Sequence, residues 1–304
     1  MKVVCTTSSF DAAIPDSFDV VKNPHGRRLT EEEVTALLVE QTPDGLIAGV
    51  EPLTRAVLEA AVKAGDGRLR VISRCGVGLD NVDLDAAADL GIQVRNTPTA
   101  PVPSVAELTV GLMLAALRSI PAADAAIRRG DWLRLKGGLL GSRTVGLVGC
   151  GRIGTAVATL VAPFGATLIG FDPEVRSHSL CRMVSFEDLL AQSDIVSLHA
   201  PLVPGTRHLI DADALRRMRP NAVLVNTARG ALVDERALAD ALAEGQIAGA
   251  AVDVYEEEPY TGPLVNMRER TVLTSHIASS AREARAVMEA EAVKNLVDVL
   301  RPPG

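Results

Sequence analysis

The sequence predicts an α/β fold of two Rossmann-like, doubly wound parallel-sheet domains with a cleft between them. Three observations predict it. Strand-like apolar runs alternate with helical ones along most of the 304 residues, which implies parallel sheets with right-handed crossovers. The length allows two separate cores. The pattern also restarts near Thr144, where Val145-Gly146-Leu147-Val148 runs into Gly149-x-Gly151-x-x-Gly154 and an alanine-rich apolar segment. That is the strand, glycine turn and helix of a dinucleotide-binding unit.

The elements follow in order. Lys2 to Thr6 reads as the first strand. Thr30 and Glu33 have capping-box spacing and open a helix to about Glu40, because a Thr hydroxyl and a Glu three residues on satisfy each other's backbone N–H. Gly45–Gly49 is a strand, Thr54–Lys63 a helix, Arg70–Ser73 a strand, Leu84–Leu90 a helix and Ile92–Arg95 a strand. The proline-rich segment from Asn96 to Pro103 cannot sustain a helix or central strand and reads as a crossing between domains. Ser104, with Glu107 in capping-box position, opens a helix to Arg118 that is apolar almost all round and so should be buried. A further helix starts at Pro121. Strands are expected at Thr167–Phe171, Ile195–Leu198, Ala222–Val225, Gly249–Val252 and Val272–Thr274, with helices between the last four and a long final helix from Ala281 to Leu300.

Composition narrows the function classes. A net charge of −7 argues against a general nucleic-acid or membrane surface. No apolar run reaches the length of a membrane span, and Met1–Cys5 is too short for a signal peptide. The four cysteines lack CxxC pairing and metal-ligand spacing, so no metal is expected, and reduced thiols suit a cytoplasmic protein.

Each glycine of the fingerprint has a physical task. Gly149 permits the tight turn, Gly151 lets backbone approach a pyrophosphate, and Gly154 lets helix pack on strand. Asp172 ends the next strand, 172 − 154 = 18 residues on. A carboxylate there accepts hydrogen bonds from an adenosine ribose and repels a 2′-phosphate, which favours NAD over NADP.

Three further stretches lie at the carboxyl ends of expected strands, where open α/β sheets bind ligands. They are Asn226-Thr227-Ala228-Arg229-Gly230, Asp253-Val254-Tyr255-Glu256-Glu257-Glu258-Pro259 and Ser275-His276-Ile277-Ala278. A guanidinium grips a carboxylate bidentately. An imidazole gives a proton to a carbonyl oxygen as hydride arrives, and a carboxylate beside it fixes its orientation. Taken singly, Arg229 also reads as a surface arginine, Glu258 as part of a solvated acidic loop, and His276 as a core histidine.

Together with Gly76-Val77-Gly78-Leu79-Asp80-Asn81-Val82-Asp83 and Val105-Ala106-Glu107-Leu108, these motifs resemble the D-2-hydroxyacid dehydrogenases almost end to end, closest to short-form phosphoglycerate dehydrogenase-like members. The resemblance implies Arg229 as the binder of substrate carboxylate and carbonyl, His276 as acid/base and Glu258 as its partner. It puts the backbone of Val77 and Gly78 at the substrate carboxylate. Beside the fingerprint glycines it gives NAD contacts to Arg152, Ile153, Asp172, Ala200, Pro201, Thr227, Ala228 and Asp253, with Asp253 near the nicotinamide amide. It also implies a substrate domain over 1–96 and 279–304, an NAD-binding domain over 97–278, and a homodimer formed through helices near 104–130.

Some positions depart from the family pattern. Ser275 stands where proline is usual, Ala278-Ser279 where glycines are common, and Cys150 inside the glycine loop is either an inert small side chain or an oxidisable thiol. Gly49–Thr54 lacks the arginine that many phosphoglycerate dehydrogenases place there, so Arg74, or Arg134 and Lys136, would have to supply charge to a phosphate. The resulting expectation is hydride transfer between NAD and C2 of a small D-2-hydroxy or 2-oxo acid, foremost 3-phosphoglycerate and 3-phosphohydroxypyruvate. Hydroxypyruvate, glyoxylate and phosphonopyruvate are the alternative substrates. An NAD-sensing scaffold resembling transcriptional corepressors is the alternative from another class.

Overall fold

The structure, a computed structural model, describes residues 1–301. The chain divides into two compact units, Met1–Pro101 with the segment from Ser280 on, and Val102–Ser279.

The first unit carries five strands, β1 (Lys2–Cys5), β2 (Asp19–Lys22), β3 (Gly45–Ala48), β4 (Val71–Arg74) and β5 (Gln93–Arg95), in the order β2-β1-β3-β4-β5, all parallel. Its first helices are α1 (Glu31–Gln41), α2 (Arg55–Ala64) and α3 (Leu84–Asp89). The expected capping box opens α1: Thr30 Oγ1 accepts from Glu33 N at 3.2 Å, and Glu33 Oε2 accepts from Thr30 N at 2.9 Å. One apolar core joins these helices to the sheet through Leu38, Leu46, Leu58 and Ile72, and the other face is covered by the long C-terminal helix through Met288, Ala292 and Leu296.

The second unit opens with α4 (Val102–Leu117) and α5 (Ile120–Arg128). Its seven strands are β6 (Thr144–Val148), β7 (Thr167–Phe171), β8 (Arg182–Met183), β9 (Ile195–Leu198), β10 (Val223–Asn226), β11 (Gly249–Val252) and β12 (Thr271–Leu273). They form one parallel sheet in the order β12-β11-β10-β9-β6-β7-β8. Helices α6 (Arg152–Val161), α7 (Phe186–Gln192), α8 (Ala212–Arg217) and α9 (Glu235–Ala243) lie between the strands, and α10 (Arg282–Leu300) returns to the first unit. The strand order reverses between β6 and β9, so the carboxyl ends of these two strands flank a switch point, where such sheets bind ligands.

Two expectations need correction. Helix α4 begins at Val102, not at Ser104, so Ser104 is no N-cap; its Oγ donates instead to the carbonyl of Ala278 at 2.6 Å. Pro103 is tolerated because the N–H it lacks falls in the first helical turn, where it would have no intrahelical acceptor. The boundary between units accordingly falls after Pro101, and most of the proline-rich segment belongs to the first unit. Strands β2 and β8 are short edge strands that the apolar pattern does not announce.

Candidate active site

The glycine loop joins β6 to α6 at the switch point. Gly149 has φ of +95°, and a side chain there would stand 2.7 Å from the backbone nitrogen of Ala200, at the end of β9. A side chain at Gly154 would strike the carbonyl oxygen of Gly149, so only glycine lets α6 pack this close to the loop. Open space surrounds Gly151, and no side chain caps the N-terminus of α6. The loop therefore presents uncapped N–H groups and a positive helix end to an open cradle, which fits a pyrophosphate.

Asp172, half-buried at the end of β7, accepts from Cys150 N at 2.8 Å through Oδ2 and from Glu174 N at 2.9 Å through Oδ1. Both oxygens keep further acceptor capacity for a ribose diol. Burial pushes the Cys150 thiol up to about 12, which leaves it protonated and unreactive near neutral pH. Thr227 is buried, and its hydroxyl bonds that of Thr109 on α4 at 2.8 Å. Ala200 and Ala228 are half-buried and Pro201 is exposed.

Arg229, Glu258 and His276 come from three loops that follow β10, β11 and β12. Buried Asn226 braces the first loop: its Nδ2 donates to Arg229 O at 2.9 Å, and its Oδ1 accepts from Ala228 N at 3.1 Å. Arg229 Nη1 donates to Ala228 O at 2.7 Å. Gly230 then packs directly on the backbone of Tyr255 and Glu256, where no Cβ fits. That close approach fixes the Arg229 loop against the Glu258 loop.

His276 adopts φ of +54°, a left-handed conformation uncommon outside glycine. It is held there from both sides. His276 N donates to Asp253 O at 2.8 Å, and the fully buried Asp253 carboxylate accepts from Thr274 Oγ1 (2.6 Å), Ile277 N (2.9 Å) and Ala278 N (2.9 Å). Asp253, expected at the nicotinamide, thus has its carboxylate turned into the His276 loop. The Tyr255 hydroxyl donates between Val252 O (3.0 Å) and Thr274 O (2.9 Å), tying the ends of β11 and β12 together. His276 Nδ1 lies 2.9 Å and 3.1 Å from the two Glu258 carboxylate oxygens. The imidazole proton on that side points at the carboxylate, which leaves Nε2 as the outward nitrogen. Glu258 is itself steadied by Tyr255 N at 3.2 Å.

In the first unit, β4 leads into Cys75-Gly76-Val77-Gly78. Arg74 Nη1 donates to Cys75 O, and Gly76, with φ of +150°, lies beneath that guanidinium. Val77 is exposed and Gly78 half-buried. After β3, the segment lacking the expected arginine holds a buried carboxylate instead. Glu51 Oε1 accepts from Gly49 N at 3.0 Å and from Thr6 Oγ1. Sequence reasoning missed Glu51, along with the bracing residues Asn226, Thr109 and Thr274. For Glu51, Asn226 and Thr274 the signal is a polar residue at or just past a strand end, which by itself looks like an ordinary turn residue, and Thr109 is a lone polar residue in the apolar helix α4. Among the described residues no cluster of three or more His, Cys, Asp or Glu side chains could hold a metal ion.

A family model described as D-isomer specific 2-hydroxyacid dehydrogenase, NAD binding domain, matches residues 110–278, and NAD is the cofactor. The D-3-phosphoglycerate dehydrogenase of Methanocaldococcus jannaschii is 40% identical over 312 residues, covering 99% of this chain and 58% of that relative. The chain therefore spans little more than half that enzyme's length. The glyoxylate reductase of Thermococcus litoralis is 40% identical, covering 84% of this chain and 80% of the relative. Among solved structures, a glyoxylate reductase from Paecilomyes thermophila superposes with a TM-score of 0.86 at 29% identity, covering 99% of this chain and 96% of that one.

Proposed function

Because the chain belongs to the D-isomer specific 2-hydroxyacid dehydrogenase family, we propose that it interconverts a small D-2-hydroxy acid and its 2-oxo acid with NAD. The observation that carries the reading is the His276–Glu258 pair, whose Glu258 loop packs at Tyr255 and Glu256 on Gly230, the residue that follows Arg229. NAD, when bound, supplies or accepts the hydride at C2. Arg229 binds the substrate carboxylate and draws on the carbonyl oxygen with its planar donors. His276 Nε2 gives a proton to that oxygen in reduction and takes it back in oxidation. Glu258 holds the Nδ1 proton and stabilises the imidazolium, as a carboxylate does behind any catalytic histidine. Gly151, Arg152, Ile153 and Gly154 form the pyrophosphate cradle, Asp172 receives the adenosine ribose, and Ala200, Pro201, Thr227 and Ala228 line the rest of the cofactor path. Asp253 acts by fixing the His276 loop. The backbone of Val77 and Gly78 receives the substrate carboxylate.

The substrate pair we assign first is 3-phosphohydroxypyruvate and 3-phosphoglycerate, supported by the relatives of that name. A second reading, glyoxylate or hydroxypyruvate, is favoured by Glu51. A buried carboxylate after β3, where an arginine would suit a phosphate, opposes a second anion nearby. The test is NADH oxidation against a panel of 2-oxo acids with and without phosphate, with NADPH in parallel. Turnover of phosphohydroxypyruvate alone supports the first reading and turnover of glyoxylate alone the second. Protein that binds NADH and turns over none of them would refute the enzyme reading and favour a scaffold.

We also assign a homodimer. The segment from α5 to β6 exposes Ile120, Ile127, Trp132, Leu133, Leu135 and Leu139, with Trp132 82% exposed, and so much apolar surface in one stretch marks an interaction site. A monomer by light scattering would refute it. Among the described residues no single helix is long and apolar enough to cross a membrane; α4 and α5 reach that composition only jointly, across a 63° bend.

A further inference from the structure

We propose that His178 is a positioning residue for the adenosine half of NAD: it staples the loop after Asp172 onto the helix of the glycine loop. The inference rests on the cofactor assignment above and adds a residue that neither the motifs nor the family match singles out.

The residues from Pro173 to Leu180 form no helix or strand, and most are exposed. They follow the carboxylate assigned to the ribose, so they flank whatever base that ribose carries. An exposed loop with few bonds is mobile and a poor wall for a ligand. Its start is pinned by Glu174 N on Asp172, and the side chain of the loop that reaches across to the glycine-loop helix is His178. His178 Nδ1 accepts from Leu180 N and Cys181 N, both at 3.2 Å, which closes a local turn. A nitrogen that accepts two N–H groups carries no proton, so the ring proton sits on Nε2. Nε2 lies 3.1 Å from Thr155 Oγ1 and donates to it. Thr155, in the first turns of α6, donates its own hydroxyl hydrogen bond to Cys150 O at 3.2 Å. On its other side, Cys150 donates its backbone N–H to Asp172.

The bonds form a closed ring, from Asp172 along the loop to His178, across to Thr155, on to Cys150 and back to Asp172. It links the three parts that receive the cofactor: glycine loop, helix start and ribose carboxylate. A ring of this kind removes conformational freedom before the ligand arrives, so less is lost on binding. None of its members touches the nicotinamide end, so its effect falls on cofactor affinity and not on the chemical step.

The test compares NADH with reduced nicotinamide mononucleotide, which lacks the adenosine half. Dissociation constants come from nicotinamide fluorescence, so the reading does not depend on turnover. His178→Ala should weaken NADH about five- to tenfold, the size of one net hydrogen bond, and leave the mononucleotide unchanged. His178→Asn keeps an acceptor near Nδ1 but is too short to reach Thr155, and should behave like the alanine variant. His178→Gln reaches Thr155 with an amide N–H and should recover part of the loss. With an active substrate, the alanine variant should raise KM for NADH and hold kcat at saturation. Unchanged NADH affinity in the alanine and asparagine variants would overturn the assignment. Equal losses for NADH and the mononucleotide would also overturn it, since they would mean general damage to the unit. Wild-type protein that binds NADH yet reduces no 2-oxo acid would sink the enzyme reading and leave this comparison intact.

Discussion

Gly230→Ala tests how the site is assembled. A Cβ at this position overlaps the carbonyl of Tyr255 and the nitrogen of Glu256, which are backbone atoms and cannot rotate away. For the new carbon to reach an ordinary separation of about 3.5 Å, the two loops must part by about 1 Å or more. One loop carries Arg229, and the other carries Glu258, which orients His276. Misplacing catalytic groups by about 1 Å costs about 10²-fold in rate. Overpacking should also cost about 1–3 kcal/mol of stability, which leaves the variant folded. The pyrophosphate cradle and Asp172 lie at β6, α6 and β7, and only Thr227 and Ala228 of the cofactor path share the Gly230 loop, so NADH affinity should fall far less than kcat. The assay is steady-state kinetics beside an NADH fluorescence titration and a denaturant melt. A folded Gly230→Ala protein with wild-type kcat would refute the argument that this contact sets the catalytic spacing.

Other perturbations probe separate parts. Asp172→Ala should weaken NADH and narrow the preference over NADPH, read as the ratio of the two kcat/KM values; an unchanged ratio removes the ribose assignment. Asp253→Ala should unseat the left-handed His276, because three donors lose their acceptor, and lower kcat more than it raises KM for NADH. Arg229→Lys should lose more than charge conservation suggests, since the bidentate fork is gone, and wild-type kinetics would mean that Arg229 is not the carboxylate clamp. Stability should fall on acidification through His199. Burial holds this histidine down to about 4, well under its ordinary range, while its Nε2 bonds Ser197 Oγ at 2.9 Å. The unfolded chain therefore binds the extra proton first, so the stabilisation present above about pH 6.5 is lost as pH falls towards 4, by at most about 3 kcal/mol. Denaturant midpoints across that range should slope less in His199→Gln, and an equal slope would reassign the effect.

Much of the fold is legible because its signals are local and periodic. The buried strands β3 and β11 are unbroken apolar runs, β6 and β9 carry a single polar residue each, and the capping box at Thr30 and the glycine fingerprint each need only their own few residues. What was not legible depends on distant partners. Ser104 looks like an N-cap by spacing, yet tertiary packing gives its hydroxyl to Ala278. The edge strands β2 and β8 have too few buried residues to leave a pattern. Asp253 sits beside the catalytic motif in sequence, but its direction is set by N–H groups more than twenty residues on. Glu51 reads as a loop acid until Thr6 and Gly49 are seen to enclose it. His178 has no motif at all; only the ring through Thr155 gives it a role.

On this reading His276, held by Glu258, moves the proton in a reaction that Arg229 positions. The most direct measurement is kcat for NADH-driven 2-oxo acid reduction in His276→Ala, taken with NADH affinity in the same protein. In that variant kcat should fall by about 10²–10⁴ while NADH binds as in the wild type. An unchanged kcat in folded, NADH-binding protein would contradict it.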